Sequence, residues 1–116
     1  MKYKFICPIF EDEICLLIGG KSEADKFCSG LELTNNHRGK CTEIKDKSDD
    51  TMGYLVWIKE PQLYQIMVHE TVHLVRLIFN AHGVPFNSEN DEIIAYYQNY
   101  WVRKFWHVMS KGLKTV

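Results

Sequence analysis

The sequence lacks long hydrophobic runs, internal repeats, low-complexity tracts and Pro/Gly/Ser-rich linkers. No run approaches the 18 apolar residues that would indicate a transmembrane helix. The first ten residues are interrupted at once by Glu11-Asp12-Glu13, so they do not form the apolar stretch of a secretory signal. We therefore expect a soluble, cytoplasmic protein with no membrane partner.

The sequence also lacks a large excess of charge of either sign. Its formal net charge is -1, which provides no field to attract nucleic acid, so we expect no nucleic-acid partner. Hydrophobic residues make up 46% and charged residues 25%, as is typical of globular proteins. With 116 residues the chain is long enough to bury a core, and we predict one domain over residues 1–116.

The four cysteines do not form a CxxC motif. Cys7, Cys15, Cys28 and Cys41 all precede residue 42. A disulfide or a second metal site is one interpretation, and reduced, partly buried thiols are the simpler one.

Strand-forming residues dominate the first half and helical patterns the second. We predict a hairpin, a short helix and two further strands over residues 2–10 with 14–18, 22–27, 41–44 and 53–59. Two long helices should follow over residues 61–80 and 88–109, the first closed by Gly83 and the second opened by a Ser88 cap. The pattern predicts an α+β fold.

The first long helix contains His69-Glu70-Thr71-Val72-His73, an HExxH motif. The i, i+4 spacing places both imidazoles on one helix face, one turn apart, where they can chelate one Zn²⁺. At 100° per residue, other polar side chains lie within about 40° of His69: Gln62, Gln65, Arg76 and Asn80. Because apolar residues fill nearly all the remaining circumference, we expect a buried helix with one polar seam.

Glu70 falls about 100° from His69, on the side of Leu63, Leu74 and Leu77. A carboxylate in these surroundings has no structural reason to be there unless a cation or a bound water is its neighbour. A general base requires such a position. The alternative is an amphipathic helix with two satisfied histidines and a partly exposed glutamate.

Two histidines leave zinc short of the three protein ligands usual in a catalytic site. The extended metzincin pattern would need Gly at position 76 and His at position 79, where this sequence has Arg76 and Phe79. The next helix offers Glu92 as the favoured third ligand, if the two helices pack antiparallel. The alternatives are Glu89, Asp91 and His82, although the acidic pair also suits a helix N-terminus and His82 a C-terminus.

HETVH followed by DEIIAYY resembles the gluzincin arrangement HExxH…ExxA, and the chain is similar in size and layout to small phage-encoded zincin-like metallopeptidases. The resemblance covers roughly residues 53–101. It implies a minimal zincin-like fold, with a small N-terminal β-sheet packed on the HExxH helix and a C-terminal glutamate-bearing helix. It also implies a zinc cofactor, ligands His69, His73 and Glu92, a Glu70 base, and a host-cytoplasmic location for a phage protein. A substrate groove would lie along the sheet edge.

These residues predict a zinc-dependent peptidase that acts on a peptide or protein. Zinc-activated water would attack the carbonyl while Glu70 accepts a proton and returns it to the leaving amine. Tyr96, on the same face as Glu92, is the candidate to hold the oxyanion, although a tyrosine there also suits a helix interface. The strand at residues 54–58 is either an edge that accepts the peptide or a central strand.

Two other functions remain open from the sequence. One is a zincin-like zinc-binding protein that serves a phage as an interaction or inhibitor module without proteolysis. The other is a zinc-free helical interaction module. His37 lies in a polar loop and should be solvated, and His107 lies about 22 Å along the helix from Glu92, too far to share its site.

Overall fold

Short β-branched and aromatic runs form the strands of the first half, and the second half forms two long helices. The computed structural model describes residues 1–27, 31–45, 52–111 and 113. The elements are β1 (Lys2–Ile6), β2 (Glu13–Ile18), α1 (Lys21–Phe27), β3 (Gly39–Lys45), β4 (Met52–Ile58), α2 (Tyr64–Ala81), a 3₁₀ turn (Ser88–Asn90) and α3 (Asp91–Lys111). The predicted α+β class is confirmed.

The four strands form one mixed sheet in the order β1-β2-β4-β3. β1 and β2 form the predicted antiparallel hairpin, β2 pairs with β4 in parallel, and β3 pairs with β4 antiparallel. Val56 of β4 therefore lies between Leu16 of β2 and Cys41 of β3. β4 is central, so the idea that it offers an edge to a peptide is wrong. β3 is the edge strand on that side of the sheet.

Alternating side chains of the central strands bury the two faces of the sheet. Leu16, Val56 and their neighbours on one face pack against α2 and α3. Leu17, Leu55 and Trp57 on the other face pack against Ala24 of α1 and two leucines that follow it. Each such large side chain stabilises the fold by about 1.5–3 kcal/mol when it is fully buried. Burial on both faces makes β4 the centre of the core.

α2 begins later than predicted and ends where predicted. Residues 61–63 form a turn, and Leu63, which precedes the helix, has φ -81° and ψ 65° and makes no side-chain cap. After Ala81, Gly83 adopts φ 70°, in the left-handed region that favours glycine. The Val84 N–H then donates to the Phe79 carbonyl at 2.9 Å, which turns the chain away from the helix axis.

α2 is less enclosed than the sequence predicted. Its buried side chains are Met67, Glu70, Thr71, Leu74, Val75, Ile78 and Phe79. Tyr64 and Val72, however, are each 43% exposed. The reason is that the sheet covers one side of the helix and α3 another, while the third side remains open to solvent.

α3 runs antiparallel to α2. The Tyr64 ring contacts Trp106 at 4.9 Å between centroids, and Phe79 contacts Tyr97 at 5.4 Å. Between them, the Gln98 side chain donates to the Val68 carbonyl at 3.3 Å. No helix in the described part of the chain has the length and apolar character needed to cross a membrane.

The start of this second helical segment differs from the prediction. Asn87, not Ser88, supplies the cap, because its side-chain oxygen accepts a hydrogen bond from the Glu89 N–H at 3.1 Å. The capped turn is 3₁₀ and continues into α3 at Asp91. Either residue is a good cap, so residue type alone does not separate them.

Cys7, Cys15 and Cys41 carry free thiols, as expected, while Cys28 lies outside the described residues. Cys7 and Cys15 are buried. Loss of solvent raises the pKa of Cys7 to about 11 and also raises that of Cys15.

These two thiols should resist alkylation in the native protein. At pH 8 a thiol with a pKa of about 11 is ionised in only about one molecule in a thousand, and the thiolate is the reacting form. We expect iodoacetamide to modify Cys7 and Cys15 slowly in buffer and rapidly in urea, as measured by peptide mass spectrometry. Equal rates in the two conditions would contradict the burial of these residues.

Candidate metal centre and groove

His69 and His73 project from the exposed side of α2, one turn apart. Their Nε2 atoms are 3.3 Å from each other, and the two rings lie at 77°. Zinc–nitrogen bonds are about 2.0–2.1 Å long, so two imidazole nitrogens on one tetrahedral zinc lie about 3.3–3.4 Å apart. The spacing of the pair therefore suits two bonds to one ion.

Glu70 points to the other side of the helix turn, toward β3. It is 8% exposed, unlike its histidine neighbours. Burial raises the pKa of its carboxyl group, while positive charge on His73 and His69 and the nearby backbone N–H of Cys41 oppose the rise. The chain thus holds a partly desolvated carboxylate directly beside the histidine pair.

A groove of about 550 Å³ separates α2 from the edge strand β3. Its lining combines the catalytic candidates with residues of the strand and of the later helix turns: His37, Gly39, Lys40, Cys41, Glu70, His73, Arg76, Leu77 and Asn80. We call it the edge groove. It gives an extended chain access to Glu70 and His73 from one side.

Gly39 sets the distance between the two walls of the edge groove. A Cβ atom at this position would lie 2.6 Å from Ile66 Cγ2, 3.1 Å from Glu70 Cγ and 3.2 Å from the Trp57 carbonyl. A side chain would therefore push α2 away from the strand. The sequence analysis did not identify this role of Gly39.

His37 is the second residue that sequence reasoning missed. It lines the edge groove and is half-buried, whereas the sequence predicted a solvated loop residue. Its Nδ1 accepts a hydrogen bond from the Thr34 N–H at 2.8 Å. A neutral ring held in this way carries its proton on Nε2, so that atom is a donor. Nothing near position 37 in the sequence indicates its closeness to Glu70.

A second groove, of about 400 Å³, lies on the opposite side of the exposed helix face. Its walls come from α2 and from the segment after Gly83: Val72, His73, Arg76, Asn80, Val84, Pro85 and Phe86. We call it the loop groove. His73, Arg76 and Asn80 border both grooves and, with His69, form the exposed polar seam that the sequence predicted.

Glu92 is not brought together with the histidine pair. It lies exposed in the first turn of α3 beside Asp91, where acidic residues complement the helix dipole. Within residues 1–27, 31–45, 52–111 and 113, no three His, Cys, Asp or Glu side chains are grouped to hold a metal. The histidine pair fits zinc, and the third ligand stays a prediction.

The other candidates for that ligand are placed as follows. Glu89 and Asp91 are exposed beside Glu92 at the start of the same helical segment. His82 pairs with Asp12 and stacks on Phe10 at 4.3 Å between ring centroids, so it ties the end of α2 to the β1–β2 turn. His82 thus has a structural partner.

Tyr96 is 66% exposed on α3 and lines neither groove. The structure does not place its hydroxyl beside Glu70 or His73. Its role in holding an oxyanion stays a prediction.

Comparison with protein-family models, with curated proteins and with solved structures finds no significant match to this chain.

Replacing Gly39 with alanine should destabilise the protein by about 1–3 kcal/mol, because the methyl group overpacks the contact between β3 and α2. Gly20→Ala is the matched control, since a Cβ atom there meets nothing within 4 Å. Urea unfolding at equilibrium measures both changes. If Gly39→Ala is as stable as Gly20→Ala, the close approach does not constrain the site.

Proposed function

We propose that this protein is a zinc-dependent peptidase with a minimal zincin-like fold. The observation that carries the proposal is the histidine pair at 3.3 Å beside a carboxylate that is only 8% exposed, at a groove that an extended chain can enter. Two exposed imidazoles alone would suit a structural metal. A buried acid in the same helical turn is the additional group that hydrolysis requires.

His69 and His73 would hold the ion, with Glu92 as the proposed third ligand. When bound, zinc supplies a water whose pKa is lowered toward about 7 and polarises the substrate carbonyl. The exposure of the pair leaves room for a substrate to approach it. From His73 onward the polar seam borders the two open grooves, at His73, Arg76 and Asn80.

Glu70 would carry the proton. Its carboxylate oxygen accepts a proton from the attacking water and delivers it to the leaving amine. Because burial raises the pKa of Glu70, the carboxylate is a stronger proton acceptor than an exposed glutamate. The neighbouring β3 backbone keeps it turned into the edge groove.

The free edge of β3 would bind the substrate backbone. Among the described strands β3 pairs with β4 alone, so backbone groups on its outer side would pair with an added strand, apart from the Cys41 N–H, which faces Glu70. A peptide in this position passes Glu70 and His73 in the edge groove. His37 Nε2, a donor on the strand side, would stabilise negative charge that develops on the substrate carbonyl.

The test separates metal binding from hydrolysis. We expect about one zinc per chain in the purified protein and in Glu70→Gln, with hydrolysis lost only in the variant, because an amide cannot accept the proton. His73→Ala should lose most of the zinc. Elemental analysis and a fluorogenic peptide library measure the two properties.

Purified protein that contains no metal and does not respond to added zinc would refute the proposal. Retained hydrolysis in Glu70→Gln would instead refute the role of that residue. Zinc binding without hydrolysis of any library member would favour the interaction or inhibitor module.

The third ligand needs a separate experiment. Glu92→Ala should weaken zinc binding strongly if this carboxylate joins the histidine pair. Glu89→Ala and Asp91→Ala are matched controls from the same helix start, and each should lower stability by about 1 kcal/mol or less. Zinc titrations of the three variants decide the assignment. A large loss of affinity in a control with Glu92→Ala unchanged would transfer the ligand role to that control residue.

A further inference from the structure

Arg76 stands beside the histidine pair and has no acidic partner among the residues that the structure describes. It lies three residues after His73 on α2, about 4.5 Å further along the helix axis, and its side chain is exposed. Among the described residues, no carboxylate lies within 4.0 Å of its guanidinium group. Arg76 borders both the edge groove and the loop groove.

The charges that line the two grooves favour an anion. Lys40 and Arg76 are the basic side chains there, and Glu70 is the single acidic side chain in the two linings that the structure describes. The Lys40 ammonium group already donates to the Leu31 carbonyl at 2.8 Å. The Arg76 guanidinium makes no such bond to the described residues, so its fork of donors is open to a carboxylate.

The loop groove adds an apolar surface next to this cation. Val72 and Phe86 are 43% and 41% exposed, so two large apolar side chains of this groove are accessible to a ligand. The segment that carries Phe86 is held in place, because Asn90 donates to the Pro85 carbonyl at 2.7 Å. The groove is therefore formed before any ligand arrives.

We propose that Arg76 and the loop groove select peptides in which a carboxylate lies next to an apolar side chain. The apolar side chain packs against Val72 and Phe86, and the carboxylate accepts hydrogen bonds from Arg76. Either a free C-terminus or an Asp or Glu side chain supplies this chemistry. The inference deepens the proposed peptidase function and rests on it, because His73 joins the loop groove to the catalytic candidates.

The experiment measures binding without cleavage, in the Glu70→Gln protein with one equivalent of zinc. Four fluorescein-labelled peptides serve as probes in two matched pairs. The first pair is Gly-Ala-Ala-Phe with a free C-terminal carboxylate and the same peptide as its amide. The second is Gly-Ala-Phe-Glu-Ala and Gly-Ala-Phe-Gln-Ala, both as amides. Fluorescence anisotropy gives each affinity.

In at least one pair, we expect the peptide with the carboxylate to bind about tenfold more tightly than its neutral partner. One charge-assisted hydrogen bond accounts for a gain in affinity of this size. The pair that shows the preference identifies the source of the carboxylate. A second change, Arg76→Gln, should abolish this preference and leave the affinity of the neutral peptide unchanged. Arg76→Lys should retain part of the preference, because it keeps the charge and loses the bidentate geometry.

Arg103→Gln is the matched control, because Arg103 is an exposed arginine of α3 that lines neither groove. It removes the same charge and should leave all four affinities unchanged. Equal binding within both pairs overturns the inference. So does an equal loss in Arg76→Gln and Arg103→Gln, because it would mark a general charge effect.

Failure of the proposed selectivity and failure of the proposed peptidase function give different results. If the wild-type protein cleaves peptides but does not distinguish within either pair, the peptidase stands and the selectivity is wrong. If the preference for a carboxylate is present but no peptide is cleaved, the selectivity stands and the peptidase is wrong. If no peptide is bound or cleaved, both are wrong.

Discussion

The close approach of α2 to the first residues of β3 is the contact on which the site depends. Gly39 permits it, because a methyl group at that position would meet Ile66, Glu70 and the Trp57 carbonyl. The approach buries Glu70 against the strand and leaves the groove between helix and strand narrow. The same contact keeps the outer edge of β3 beside the carboxylate. The absence of a side chain at Gly39 therefore determines both the burial of Glu70 and the position of β3 as a wall of the groove.

The helical turn then divides the HExxH motif between two environments. Successive residues are 100° apart, so His69 and His73 face solvent while Glu70 turns toward the sheet. Burying a carboxylate destabilises a fold unless a charge or donor compensates it, and here the histidines and the Cys41 N–H are the compensating groups. We interpret the burial of Glu70 as a loss of folding stability that makes its carboxylate a stronger base. An exposed glutamate would cost less free energy and would be a weaker base.

Local pattern predicted the parts of the molecule that depend on local physics. A run of strand-forming residues identified β4, the apolar helix face identified α2, and Gly83 marked the end of that helix because the left-handed turn favours glycine. The polar seam was also predicted from helical geometry. The parallel pairing of β2 with β4 was not predicted, because strand order depends on which faces of the sheet the helices cover. That pairing made β4 central and left β3 as the edge.

Because local pattern does not encode contacts between distant residues, two residues of the site were not identified from the sequence. His37 and Glu70 line the same groove only because β3 packs beside α2, and no local pattern encodes this proximity of residues 33 positions apart. In the sequence Gly39 resembles an ordinary loop glycine, and its close contact with α2 is evident only in the folded structure. Glu92 was favoured as third ligand on the condition that the two helices pack antiparallel; they do, but the 3₁₀ turn places Asp91 and Glu92 in the first turn of α3. The first residue of a helix is difficult to predict from a sequence, because helix ends vary by one or two residues.

The anchoring of α3 determines whether Glu92 can serve as a ligand of the proposed zinc ion. The helix is fixed from Tyr97 onward, where the Tyr97 hydroxyl donates to the Pro8 carbonyl at 2.7 Å and Gln98 donates to Val68. Before Tyr97, neither the 3₁₀ turn nor the start of α3 has a buried side chain. Segments with few buried contacts rearrange at the lowest cost in free energy. A shift confined to the residues after Asn90, which itself stays bonded to Pro85, would disturb few buried contacts, and coordination of zinc by Glu92 would offset its cost.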